Sequence, residues 1–317
     1  MAALIVCLCT LPLGYAICWH EAKPVERAKQ SVDIAEREGG IAVTEAKEKH
    51  IKDLHKLFDA YQECGLTLEA QENYEEAVAN YREALEYISK KNAPEQWAEL
   101  QHLLGNAADD WADRSEGNAV RQHRDEVIAA FRAALEVRTR ETLPRDWAAT
   151  QNNLAVALRN QASAVEGAER AALLAEAVET YRAALEVYTR ETLPQDWAMT
   201  QNNLAIVLCH QASVVEGSEC AALLAEAVEA YRAALTVRTR ETLPQGWAMT
   251  QNNLANALRH QAMKTVGKTE KERLLKAAIT AFENALEVYT KEHFPGDYQN
   301  VQNGIKIVRK LLAELEE

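Results

Sequence analysis

Three adjacent pairs, Arg159-Asn160, Cys209-His210 and Arg259-His260, occupy one recurring position of the sequence, 50 residues apart. Guanidinium and imidazole groups can hold a carboxylate, the guanidinium through two parallel hydrogen bonds to one fork. Close by stand three Gln-Asn-Asn triplets, at 151–153, 201–203 and 251–253. An Asn amide both donates and accepts, which suits an extended peptide backbone whose own groups need partners. On a helical wheel of about 100° per residue, with Leu154 and Leu158 setting the core direction, one half is left open. Ala149, Asn152, Val156, Arg159, Asn160 and Ser163 fall there. The spacing therefore predicts a peptide-contacting face made of Asn152, Arg159, Asn160, Asn202, His210, Asn252, Asn256, Arg259 and His260. Asn153 and its equivalents are expected to bond to neighbouring helices instead.

Covalent or acid–base chemistry finds no such support. The sequence has no HExxH, no GxxxxGK[ST], no GxSxG and no CxxC pair. Asp109 and Asp110 are adjacent and so point different ways on a helix rather than converging. Cys7, Cys9, Cys18, Cys64, Cys209 and Cys220 show no metal-ligand spacing. No catalytic residue, cofactor or metal is expected.

The elements that must position the polar face announce themselves by repetition. Pro94, Pro144, Pro194, Pro244 and Pro295 recur at intervals of 50, 50, 50 and 51 residues. Trp97, Trp147, Trp197 and Trp247 follow the first four, and Tyr81, Phe131, Tyr181, Tyr231 and Phe282 keep the same beat. Residues 145–194 and 195–244 agree at 38 of 50 places, so the unit is a true repeat. Trp147, Leu154, Leu158 and Val165 make one helical stripe. Leu174, Ala177, Val178, Tyr181, Ala184, Leu185 and Tyr188 make a second. The tryptophans, lying on the first stripe, are expected in the core. Gly167, Gly217 and Gly267 suit a left-handed residue closing a helix. Ser218 and Thr269 are candidate caps of the next start, Thr269 with Glu272 as a capping box. Each Pro stops one helix and opens another.

Residues Tyr61 to Tyr87, YQECGLTLEAQENYEEAVANYREALEY, carry a family resemblance. Tyr61, Cys64, Gly65, Leu68, Ala77, Tyr81 and Ala84 match the large-small pattern of a tetratricopeptide repeat. The later units, with TQNNLAVAL and EAVETYRAAL, resemble the longer kinesin-light-chain-like variety common in bacterial proteins. The resemblance implies an all-α, right-handed α-solenoid of helical hairpins with a C-terminal capping helix. It also implies a protein-binding role of unspecified partner, and related repeats often grip acidic or carboxy-terminal peptides. The hairpins are expected at about 42–91, 95–141, 145–191, 195–241 and 245–292, within a solenoid over 42–317 closed by a cap at 296–316.

Residues 2 to 18, AALIVCLCTLPLGYAIC, are uncharged. A cleaved signal peptide, an uncleaved membrane anchor and a buried first helix all fit residues 1–18. The protein would be secreted or periplasmic in the first case and cytoplasmic in the last. Residues 19–41 read as an N-terminal helix, over 22–38, and a linker. A net charge of −13 and a pI near 5.2 make nucleic acid a poor partner. A membrane is a partner only through the possible anchor.

Function follows from what varies inside the chain. The two most similar repeats differ at 12 places, and Ala149/Met199, Val156/Ile206, Arg159/Cys209 and Asn160/His210 lie among the six open-face positions. Core positions are copied, because packing tolerates few changes, while the face diverges as a groove for an irregular partner would. Along it the charge runs from Glu69 and Asp109-Asp110 to Arg159, His210, Arg259 and His260. The expected function is a non-enzymatic scaffold for a protein or peptide, with an acidic ligand favoured in the later half. A structural, self-assembling solenoid is the alternative reading.

Overall fold

The structure, a computed structural model, describes residues 42–70 and 72–316 together with Arg27, Lys29 and Gln30. Those three residues are helical; the rest of the expected 22–38 helix, and the segment 1–18, lie outside the described residues. Among the described residues the fold is all-α, with no strand. The first three hairpins run α1 Ala42–Ala70, α2 Tyr74–Tyr87, α3 Pro94–Arg114, α4 Asn118–Leu135, α5 Pro144–Ser163 and α6 Gly167–Leu185. They are followed by α7 Pro194–Ala212, α8 Gly217–Leu235, α9 Pro244–Lys264, α10 Lys268–Leu286 and α11 Pro295–Glu316. No described helix is long and apolar enough to cross a membrane.

The chain divides into two compact units, residues 1–157 and 158–317, with the boundary inside α5. In the first, α1 packs on α2, α2 on α3 and α3 on α4, and α1 also touches α3. In the second, each helix from α6 to α11 packs on the next, while α7 touches α9 and α9 touches α11. Each unit is thus a one-dimensional helical stack, an α-solenoid in which contacts are made with sequence neighbours.

Proline opens the first helix of a hairpin: Pro94, Pro194 and Pro244 stand in its first turn, where a missing N–H costs nothing. The link before it is a hydrogen-bonded turn repeated nearly atom for atom. Thr139 and Thr142 share a hydroxyl contact of 2.9 Å, Thr189 and Thr192 one of 2.8 Å, and Thr239 and Thr242 one of 2.9 Å. The threonine hydroxyls also accept from the Thr142, Thr192 and Thr242 amides.

Two features of the hairpin turn differ from the sequence expectation. Gly167, Gly217 and Gly267 do have positive φ, at 62°, 65° and 109°, but they open the second helix rather than close the first. The first helices have already ended at Ser163, Ala212 and Lys264. Neither Ser218 nor Thr269 makes a capping hydrogen bond, since the cap positions are Glu216 and Gly267. The reversal is therefore carried by the left-handed glycine itself.

The predicted stripes are buried: Leu154, Leu158, Leu174, Val178, Tyr181 and Tyr188 all belong to the core. The tryptophans do not. Trp97, Trp147, Trp197 and Trp247 are half-buried. Each sits one turn after its proline, at the start of a first helix. Deep burial goes instead to the second-helix aromatics, and these demand small partners. A Cβ at Gly65 would stand 2.2 Å from the Tyr81 ring, and one at Gly105 would stand 2.6 Å from that of Phe131. At Gly304 it would lie 2.5 Å from the Phe282 ring, which is how α11 docks on α10.

Because Gly105 and Phe131 are buried on all sides, Gly105→Val should destabilise the protein by about 1–3 kcal/mol through overpacking. Chemical denaturation measures it; a loss within error of zero would mean that α3 and α4 are not held at this spacing.

Candidate functional site

The polar positions divide into a buried set that joins repeats and a half-exposed set that lines an open wall. In the first unit Arg138, 5% exposed, is the centre of a joint. It donates to Thr150 Oγ1 at 2.8 Å and is paired with Glu99. His102 Nδ1 lies 3.1 Å from the same hydroxyl, which also donates to the Asp146 carbonyl at 2.7 Å. Burial, and then the Arg138 charge, push the His102 pKa down to about 4. Beside this joint is a cavity of about 230 Å³ whose lining includes Glu95, Glu99 and Asp146 around the single cation Arg138. This cavity is a local concentration of carboxylates in the first unit. Elsewhere in that unit the Glu69 carboxyl is raised by burial and by nearby Asp110 while accepting from the Tyr81 hydroxyl at 2.8 Å.

The second unit builds the same joint with Asn202 in the register of His102 and Met199 in that of Glu99. Arg238 donates to Thr250 Oγ1 at 3.3 Å, and Thr250 donates to Asn202 Oδ1 at 3.3 Å and to the Gly246 carbonyl at 2.7 Å. Asn202 is 1% exposed and Asn152 6%. These two residues, placed by the wheel on the open half, are therefore corrected to buried positions. Asn202 occupies the register of His102 and supplies the acceptor for the next repeat's threonine. Asn152 donates to Asn153 at 3.3 Å. Asn153 bonds to the neighbouring first helix as expected, donating to Asn106 Oδ1 at 3.0 Å. Asn252 is half-buried, and its backbone carbonyl accepts from Asn256 at 3.0 Å.

The remaining candidates gather in the second unit. Arg159 donates to Asn160 Oδ1 at 2.9 Å. The charges of Arg159 and Arg170 reach His210, whose pKa is lowered first by burial and then by these two cations. Between α7 and α9 lies an open cavity of about 340 Å³ lined by Ile206, His210, Tyr231, Asn253, Asn256 and His260, among others. Arg259 Nη2 donates to Asn256 Oδ1 at 3.2 Å and lies 3.1 Å from His260 Nε2. Since a guanidinium can only donate, neutral His260 accepts there. Its pKa is lowered by burial and then by Arg259, and that of Arg259 is lowered by burial. The Arg259 Nε–H is buried with no hydrogen-bond partner. Sequence reasoning missed Tyr231 and Asn253 as cavity-lining residues; the first reads as core, and the second as an inter-helix amide.

The opposite wall behaves differently. Arg82 pairs with Glu126 at 2.6 Å and Arg182 with Glu226 at 2.7 Å, in each case from one second helix to the next. Arg240, in the link after α8, pairs with Glu287, just past the end of α10. Neither Arg159 nor Arg259 has a carboxylate partner among the described residues. Nor is there a group of His, Cys, Asp and Glu able to hold a metal ion among them. The wall offers guanidinium donors and amides that can both donate and accept.

The sequence matches no protein-family model. The comparison with curated proteins finds no match. Among solved structures the chain is similar to the TPR2AB-domain:pHSP90-complex of yeast Sti1, at 14% identity over 93% of this chain and 100% of that one, with a TM-score of 0.25. It is also similar to a circular tandem repeat protein with novel repeat topology and enhanced subunit contact surfaces, at 15% identity over 96% and 72% of the two chains, with a TM-score of 0.29. Likenesses this loose carry no argument about function.

The low pKa of His102 has a consequence for stability. The unfolded chain binds that proton near pH 6.5 and the folded protein only near pH 4. Above the first value both states are neutral there; between the two, only the unfolded state is protonated. Stability should therefore fall by about 1.4 kcal/mol per pH unit from this group, about 3 kcal/mol in all as pH drops across the window. His102→Asn, which installs the residue found at 152, 202 and 252, should remove that share. Denaturation curves between pH 7 and 4.5 with parallel slopes for the two proteins would refute it.

Proposed function

We propose that the chain is a non-enzymatic scaffold that binds an extended peptide or partner segment along the first helices of its second unit, with a preference for acidic ligands. The observation that carries this is the contrast between the walls. In a chain of net charge −13, Arg82, Arg182 and Arg232 of the second helices are paired with carboxylates, whereas Arg159 and Arg259 of the first helices have no carboxylate partner among the described residues. A half-buried guanidinium without a counter-ion loses solvation and gains no partner. An incoming carboxylate would restore that partner. Asn160, His210, Asn256 and His260 surround these cations with groups suited to a backbone. The 50-residue units are read as the kinesin-light-chain-like variety of tetratricopeptide repeat, in line with such a role.

Arg159→Ala combined with Arg259→Ala should weaken binding of the tightest peptide selected from a random library by about 2–5 kcal/mol at low salt. Its folding stability should change by no more than about 1 kcal/mol per site, because neither residue is in an ion pair. Calorimetric titration showing unchanged affinity would overturn the basic groove.

A further inference from the structure

The fourth hairpin departs from its neighbours at two positions that meet in space. Where the third carries Arg159 and Arg170, the fourth has Cys209 and Cys220, and the fifth returns to Arg259 and Lys271. Two long cationic side chains are thus replaced by two short thiols in one repeat only. The space they would fill is an open cavity of about 380 Å³ between α7, α8 and the end of α9. Its floor is apolar: Ala212, Cys220 and Leu224 are buried together, with Cys209, Val215 and Leu223 packed against them. Val214 and Met263 complete the wall, and Met263 is 54% exposed. Cys209 contributes as an apolar group, for burial pushes its pKa up to about 12 and keeps it a neutral thiol.

The rim carries the opposite character. His260 and Lys264 line it, and Arg259 is hydrogen-bonded to His260. Glu216 is the carboxylate of the lining. Lys264 has no carboxylate partner among the described residues, and neither does Arg259. The cavity shares Cys209, Ser213 and His260 with the polar cavity between α7 and α9, so the two form adjoining compartments. Its volume lies at the lower end of ligand-sized clefts, which span about 300–1,000 Å³. An apolar floor under a cationic rim matches a side chain of Leu, Met or Phe size next to a carboxylate.

We propose that this cavity is the specificity pocket of the groove, taking one apolar side chain of a bound peptide whose neighbouring Asp or Glu is held by Lys264 and the Arg259-His260 pair. The inference rests on the peptide-binding reading above and adds a sequence requirement to it: an apolar residue adjacent to an acidic one, inside the peptide rather than at its carboxy terminus. The pocket exists because the fourth repeat gave up two arginines that its neighbour retains.

The test uses the full chain and a library of random 12-residue peptides displayed on phage. Enriched peptides should share an apolar residue beside Asp or Glu. The best of them, made synthetically with an amidated end, should bind Cys209→Arg/Cys220→Arg at least tenfold more weakly, by calorimetry. That variant restores the residues of the third repeat, so the fold has a precedent for it. Cys220→Met fills the same space without charge and should also weaken binding. Replacing the peptide's apolar residue by Ala should cost affinity in the wild type and nothing further in either variant. Equal affinity of wild type and variants, an equal loss from the Ala peptide in all three, or enriched peptides lacking the apolar–acidic pair would overturn the pocket while leaving the groove standing. If no peptide is enriched over the bare support, the groove reading falls and the pocket with it.

Discussion

The close approach of Tyr81, Phe131 and Phe282 on second helices to a glycine on a neighbouring helix is the constraint from which the rest of the architecture follows. Tyr81 lies over Gly65 and Phe131 over Gly105, at separations that leave no room for a methyl group. The ring's large apolar area is removed from water only if the backbones come this near. Once they do, the axial position of one helix against the other is set, and so is the spacing at which the next repeat must arrive. The last pairing, Phe282 with Gly304, lets α11 complete the stack by the same device. Outer ion pairs such as Arg82–Glu126 are exposed and contribute little. They decorate a spacing that the aromatics have already fixed.

That spacing creates a polar problem at each joint, because the linking segment after the second helix carries a residue into the gap between first helices. Arg138 and Arg238 arrive at equivalent places and both find a threonine hydroxyl, on Thr150 and Thr250. The first joint has Glu99 to balance the charge; the second has Met199 in the same register and no carboxylate. Burial lowers the Arg238 pKa with no acidic neighbour to oppose it. The Arg138 joint is thus internally neutralised where the Arg238 joint is left without a balancing carboxylate. This is the same asymmetry that Arg159 and Arg259 show along the wall.

The period, the helical hairpins and the core stripes were legible because each is a property of one helix or of a fixed repeat length. What escaped the sequence depends on neighbouring helices. A wheel drawn on α7 alone puts Asn202 on the open side. It cannot know that Thr250, 48 residues later, brings a hydroxyl to 3.3 Å and closes that side off. The tryptophans failed for a related reason: they lie on the core stripe, but one turn from the helix start the adjacent repeat no longer covers them fully. The glycine turn was read with the correct φ and the wrong helix, since a left-handed residue can precede a helix as well as follow one. Asn256, Arg259 and His260 remain at least partly exposed on α9, where the wheel places them.

The divergence between repeats then takes on a physical meaning that counting differences could not supply. Drift at exposed positions should exchange one solvated side chain for another. Cys209 and Cys220 do not fit that description: Cys220 is 1% exposed, and both stand where their counterparts are arginines. Removing two long side chains from a packed helical joint normally leaves a void whose lining loses contacts, a destabilising change. The cavity beside Leu224 and Met263 is such a void, open to the surface rather than collapsed. A repeat that copies 38 of its neighbour's 50 residues had the stable solution available, and two of its 12 departures, Cys209 and Cys220, pack into one cluster. The lost packing is compensated if something outside the chain supplies the missing atoms. An apolar side chain presented from the groove has both the access and the size to do so.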